Sequence, residues 1–146
     1  MIYLEYEKAK ASYDYALKTY QDFIKEKQEL FELTQPTATV FDKERVEGGI
    51  APDSYALYLC EIERRHLDQR IQDAREFVEH WKYILEDKEE ALRASKDRLD
   101  RIYRLKILQG LSVETIAIRT SYSRSQVFRI LRKIKKMRQN ATVQCL

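Results

Sequence analysis

The sequence predicts an all-α protein in which a long N-terminal helical hairpin or coiled-coil arm precedes a smaller, basic helical module. Breakers are confined to Pro36, Gly48, Gly49, Pro52 and Gly110, so every other stretch is free to be helical. Apolar residues recur at alternating three- and four-residue steps through most of the remaining chain, the period of a helix with one buried stripe. Charge is also divided: residues 1–92 hold 13 Lys/Arg and 21 Asp/Glu, net −8, whereas residues 93–146 hold 14 and 3, net +11. The composition therefore sets a domain boundary near Leu92, with an acidic helical arm over 1–92 and a basic domain over 93–146.

The first element spans residues 2 to 33. Ile2, Tyr6, Ala9, Tyr13, Ala16, Tyr20, Phe23 and Leu30 form its stripe, widened by Leu17, Ile24 and Phe31. Such a helix is about 45 Å long. Tyr6, Tyr13 and Tyr20 repeat every seven residues, but the acids around them repel phosphate, so the spacing reads as helix-on-helix packing. Thr34 to Pro52 has turn formers at both ends and no period, which makes it a linker, and Asp53 or Ser54 can cap the next helix.

No breaker intervenes from Asp53 to Gln109. Tyr55, Leu59 and Ile62, then Leu67, Ile71, Ala74, Val78, Trp81, Leu85, Leu92 and Leu99 carry the apolar pattern, with a five-residue step after Ile62 that shifts its phase. A single helix over this stretch would reach about 85 Å, more than a small domain supports. A break is therefore expected between Asp87 and Ser95, with one helix over 53–92 before it and Ser95 capping a new helix to Leu108. That helix turns Leu99, Ile102, Leu105 and Leu108 inward and Lys96, Arg98, Arg101 and Arg104 outward.

The C-terminal stretch GLSVETIAIRTSYSRSQVFRILRKIKKM can be built residue by residue. Gly110 stops the preceding helix at positive φ. Ser112 caps a short helix that carries Glu114 in its first turn, and Ile116 and Ala117 face inward. Thr120, Ser121 and Tyr122 make the turn. Ser123 and Gln126 form a capping box for the last helix, which buries Val127, Ile130, Leu131 and Ile134. Two capped helices at this spacing are a helix-turn-helix, the arrangement that places a second helix in the DNA major groove.

Roles come from that arrangement. The N-terminal residues of a recognition helix contact base edges and flanking cations contact phosphates. Arg124, Ser125, Phe128 and Arg129 are the expected base contacts, with Phe128 suited to a thymine methyl. Arg119, Thr120, Arg132, Lys133, Lys135 and Lys136 are the expected phosphate contacts. A third of the chain at +11 is itself the footprint of a polyanion binder.

Other chemistry finds little support in the residues. Cys60 and Cys145 have no metal-ligand spacing, and His66 and His80 lie fourteen residues apart with no partner cysteine. Acid pairs such as Glu61 with Glu63, or Glu89 with Glu90, do not share a helix face. No nucleophile with a base and no phosphate-cradling glycine loop is present, so no enzyme, cofactor or metal is expected. The Asn140-Ala141-Thr142 sequon is read as coincidence, because the N-terminus lacks a basic start and an apolar stretch. No apolar run approaches the roughly 18 residues of a membrane span, and a cytoplasmic location in a bacterial host is expected.

At these residues the chain resembles a family. From Leu99 to Met137, the helix ending LKILQGLS, the ETIA step and SRSQVFRILRK are similar to region four of bacterial primary-type sigma factors. The resemblance implies a helical module that binds promoter elements and docks on RNA polymerase, with Arg124, Ser125, Phe128 and Arg129 at its base-contacting positions. Phe128 stands where that module usually has a polar or charged reader, and Ser121 replaces a frequent turn glycine. The whole chain is similar to phage and prophage late-gene regulators of the ArpU and RinA type, through VEGGIAPDSYA from Val46 to Ala56 and the sigma-like end.

The expected function is that of a sequence-specific double-stranded-DNA-binding transcription regulator, a phage-encoded activator acting near promoters. Its expected partners are duplex DNA, host RNA polymerase and a second copy joined through the N-terminal helices as a dimer. Two alternatives use the same features: a phage small terminase subunit recognising a packaging site, and a coiled-coil adaptor that binds no DNA.

Overall fold

A computed structural model of the protein describes residues 1–35 and 54–144, with the side chains of 143 and 144 excepted. Most of the expected linker, the Val46 to Ala56 segment as far as Asp53, and Cys145 lie outside the described residues. Those residues form six α-helices and no strand: α1 (Ile2–Thr34), α2 (Ser54–Arg64), α3 (Leu67–Ala94), α4 (Arg98–Tyr103), α5 (Val113–Thr120) and α6 (Arg124–Gln144). The protein is all-α. None of these helices is long and apolar enough to cross a membrane.

Packing divides the chain into two compact units, one of residues 1–13 with 81–146 and one of residues 14–80. Charge changes sign near Leu92, but packing draws its lines at Tyr13 and Trp81.

In the unit of residues 14–80, α1 and α3 run side by side in opposite directions, Lys27 pairing with Asp68 at 2.8 Å while Arg70 lies 4.4 Å over the Phe23 ring. Leu30, Ile62 and Leu67 form its core, with Tyr58 and Ile71 against them. The single helix expected over 53–92 is instead two helices, α2 and α3, separated at Arg65 and His66. The phase shift after Ile62 explains the correction. In an unbroken helix five residues turn the chain about 140° off the starting face, so Ile62 and Leu67 could not share a core. With His66 in the left-handed conformation at φ 51°, both are buried, Leu67 completely. A left-handed non-glycine residue costs roughly 1–2 kcal/mol, and burying a leucine returns about 1.5–3. Tyr55 and Leu59, expected inward, are exposed, and Tyr58 takes the inner position.

The other unit has a larger core: Tyr3, Tyr6, Leu92, Leu99, Ile102, Tyr103, Leu105, Ile116, Val127, Ile130 and Ile134. Tyr3, outside the expected stripe, is fully buried, stacks on Tyr103 at 5.0 Å between ring centroids and donates its hydroxyl to Met137 Sδ at 3.2 Å. Tyr6 meets the edge of Tyr103, whose own hydroxyl donates to Glu7 Oε1 at 2.9 Å. Burial, then the Glu7 bond and charge, push the Tyr103 phenol well above its ordinary value. Burial and the charge of Asp100 also raise the Tyr3 phenol.

The break between α3 and α4 falls at residues 95–97, at the far edge of the expected window, and Ser95 is not the N-terminal residue of α4. Asp97 holds that place without a side-chain cap. Ser95 Oγ accepts from the Asp97 amide at 3.3 Å and donates to Asp100 Oδ2 at 2.7 Å. Asp100 is buried and accepts from two further donors, the amides of Tyr3 at 3.0 Å and Ile2 at 3.4 Å. The first amides of a helix have no partner inside it and carry the positive end of its dipole, so the α4 carboxylate caps α1 from 97 residues away in sequence.

After α4 the chain widens by one residue per turn over Arg104–Leu108, with the Gln109 amide reaching the Arg104 carbonyl. Gly110 then reverses the chain at φ 65°, the positive φ expected of it. Leu99, Ile102 and Leu105 are buried and Leu108 packs against them, while Arg104 is half-buried and donates to the Arg93 carbonyl.

Candidate nucleic-acid interface

Two serines organise the end of the chain. Ser112 Oγ accepts from the Thr115 amide at 3.3 Å and starts α5. Ser123 and Gln126 bond reciprocally, the Ser123 amide to Gln126 Oε1 at 2.9 Å and the Gln126 amide to Ser123 Oγ at 3.2 Å, and so start α6. Between the helices, Ser121 takes the left-handed conformation at φ 60°, ψ 23°. That is the conformation a glycine adopts most readily. Tyr122 and Ala117 pack on the core, so the turn is anchored as well as capped.

Burial then sorts the residues of α6. At about 100° per residue, Val127, Ile130, Ile134 and the half-buried Leu131 and Met137 fall within an arc of roughly 120° that faces the core. Arg124, Phe128, Lys135, Arg132, Ser125, Lys136 and Arg129 share the opposite arc of about 140°, and Lys133 lies at its margin. All eight are exposed. Ser125, Phe128, Arg129 and Arg132 line a shallow open groove of about 390 Å³ on this face.

The four expected base contacts are thus brought together at the start of α6, and the expected phosphate contacts on that helix lie along the same face. Arg119 is exposed on α5. Thr120 is a correction: its side chain is buried, 7 % exposed, and its hydroxyl donates to the Ile116 carbonyl at 2.6 Å. A threonine closing its own helix in the core offers nothing to a phosphate, and it leaves the set.

The face is cationic, with Arg124 alone of its cations paired to a carboxylate among the described residues. No Asp or Glu lies within α6. Arg129, Arg132, Lys133, Lys135 and Lys136 have no carboxylate partner among the described residues, whereas Arg124 pairs with Glu114 at 3.0 Å and Arg138 with Glu7 at 2.6 Å. Phe128, 42 % exposed, carries the Arg124 guanidinium 5.9 Å from its ring centroid. Unpaired cations on one exposed stripe, beside a half-covered aromatic ring, can hold a polyanion and meet a flat apolar edge at once.

Two contributors escaped the residue pattern. Arg101 of α4 donates to the Arg119 carbonyl at 3.3 Å, satisfying the C-terminal end of α5 and adding a cation beside the turn. Glu114, a favourable charge for the start of α5, also reaches across the turn to α6. Both contacts join different helices, and only the outward placing of Arg101 hinted at either. No group of three or more His, Cys, Asp or Glu that could hold a metal ion occurs among the described residues. Comparison of the chain with protein families, curated proteins and solved structures finds no match in any of the three.

Proposed function

We propose that this chain is a sequence-specific double-stranded-DNA-binding transcription regulator that inserts α6 into the major groove. One observation carries the reading. The exposed arc of α6 holds Arg124, Ser125, Phe128 and Arg129 in its first two turns and unpaired cations after them, on a helix fixed at its start by a reciprocal cap. Groove-reading helices place base contacts early and phosphate contacts around them. Arg124 and Arg129 then pair with guanine O6 and N7, Phe128 meets a thymine methyl, and Arg119, Arg132, Lys133, Lys135 and Lys136 meet phosphates. The sigma-region-four resemblance favours a promoter-proximal site and RNA polymerase as a second partner, and the ArpU and RinA resemblance favours a phage-encoded activator.

Selection from a random duplex pool with the full chain tests the reading. A single enriched motif, bound with affinity that falls steeply as salt rises, is expected. No enrichment, together with a flat salt response, would leave a cationic adaptor surface in its place. Self-association through the N-terminal helices belongs to the same proposal, since one recognition helix reads few base pairs and two on a repeated site reach useful specificity. Light scattering should give a dimer mass, whereas a ring-sized assembly would point to the terminase alternative.

A further inference from the structure

The pairing of Glu114 with Arg124 gives the proposed reading face a part that neither phosphate attraction nor base contact requires. Arg124 is the first residue of α6 and Glu114 lies in the first turn of α5, on the other side of the capped turn. Their charged groups meet at 3.0 Å, with side chains 65 % and 58 % exposed, and the same guanidinium lies over the Phe128 ring. Arg124 is therefore held from two sides by residues that belong to the face itself.

A carboxylate at this place is unfavourable for polyanion binding in general, because it neutralises one cation on the approach side and repels phosphate. Beyond its favourable place in the first turn of α5, its use on this face is orientation. Left alone, an exposed arginine samples many rotamers and reaches whichever phosphate is nearest. Drawn at one nitrogen toward Glu114 and lying 5.9 Å from the Phe128 ring centroid, Arg124 keeps the other N–H groups of its fork free in a narrower range of directions. Phe128 stands four residues on, one turn along the same face, where it meets the neighbouring step in the groove.

We propose that Glu114 is a specificity-determining positioning residue: it withholds Arg124 from the phosphate backbone and presents it, on the Phe128 side of the face, to a guanine that has a thymine within the next base steps. The proposal rests on the DNA-binding function proposed for α6. It adds that discrimination at the Arg124 position comes from α5 as much as from α6.

The test compares the full chain with Glu114→Gln, Arg124→Ala and the double variant on the selected duplex, on duplexes with single substitutions at the Arg124 position, and on unrelated duplex DNA. Glu114→Gln is expected to bind unrelated DNA more tightly, because a negative charge is gone. Its preference for guanine over the other bases at the Arg124 position should fall at least about fivefold, the lower end of what an oriented arginine supplies. The double variant should discriminate no better than Arg124→Ala alone, since Glu114 acts through that side chain. Glu114→Asp, one methylene short, should not restore the preference.

Equal tightening of Glu114→Gln on all sequences, with the guanine preference intact, would overturn the positioning role and leave a bystander charge. A lost preference in the double variant beyond that of Arg124→Ala would overturn the route through Arg124. Failure of the unaltered chain to prefer any sequence would overturn the function itself, a result distinct from both. Thermal melting of the variants within a few degrees of the parent is expected, as exposed ion pairs contribute little to stability.

Discussion

The outer face of α6 and the junction of α1 with α4 use charge in opposite ways within one compact unit. On α6 the cations stand in solvent on a single arc, and five of them meet no carboxylate among the described residues. At the junction one carboxylate, Asp100, is buried at 1 % exposure and accepts from three donors, two of them the opening amides of α1. An exposed unpaired charge costs little in stability and attracts a partner. A buried charge with satisfied bonds attracts nothing and becomes strongly destabilising when its partners are removed. The contrast separates the contacts that hold this unit together from the surface it offers to bind.

Cutting the chain at the composition boundary should disturb this contrast most severely. A chain of residues 93–146 carries the whole cationic face but lacks Tyr3, Tyr6 and Leu92 from the core and leaves Asp100 with one of its three partners. It should melt without a cooperative transition by circular dichroism, whereas the full chain, which supplies residues 1–13 and 81–92, should show one. Cooperative melting of the short chain would show that the α1 contacts are dispensable.

Single substitutions at the junction come next. Tyr3→Ala should lose about 3–5 kcal/mol in urea unfolding, as truncation of a buried aromatic does. Asp100→Ala should lose about 1–3 kcal/mol, because it strands buried amides. On α6 the expectation reverses: Arg129→Ala should leave the unfolding midpoint nearly unchanged and cost about 1–3 kcal/mol of base discrimination, with Lys136→Ala weakening all sequences alike. Random-pool selection with the two α6 variants, beside urea titrations of all four, measures both axes. A large stability loss at Arg129 would erase the distinction.

Alkaline pH gives a smaller and more selective test. The Tyr103 and Tyr3 phenols are pushed above the ordinary value of 10.0 by burial first, with Glu7 and Asp100 adding to it. In the unfolded chain they lose protons near pH 10, while in the folded chain they hold them longer. Their contribution to stability is therefore complete below about pH 10 and is lost as pH rises toward the folded values. Urea midpoints should be level from about pH 8 to 9.5 and fall beyond about pH 10, with a shallower fall in Tyr103→Phe. An identical slope in that variant would remove Tyr103 from the account. The smallest effect is expected from Glu5→Gln, which breaks an exposed pair with Lys88 at 2.9 Å and should leave the urea midpoint nearly unchanged.

The features legible in the chain alone are those that depend on neighbours in sequence. Gly110 at positive φ, the Ser112 cap, the Ser123 and Gln126 capping box and the buried stripe of Val127, Ile130 and Ile134 are of this kind, because each is set within four residues of itself. The exposure of Arg124, Ser125, Phe128 and Arg129 comes from the same period. The Thr120 hydroxyl has two outlets in the sequence, solvent or the carbonyl four residues back, and only core packing chooses between them. The break at His66 has no Gly or Pro and shows in the sequence only as a phase shift, and its left-handed turn is held by burial of Leu67 beyond it.

Helix period, caps and apolar spacing are local, so the amino-acid order was enough to establish that the protein is helical, where its last two helices begin, and which side of α6 meets water. Three-dimensional packing was needed to join Tyr3 and Tyr6 to the same core as α6, to set Asp100 as the cap of a helix 97 residues away, and to bring Glu114 against Arg124. Those contacts close long loops or join two helices across a turn, and nothing in the local pattern of either partner specifies the other.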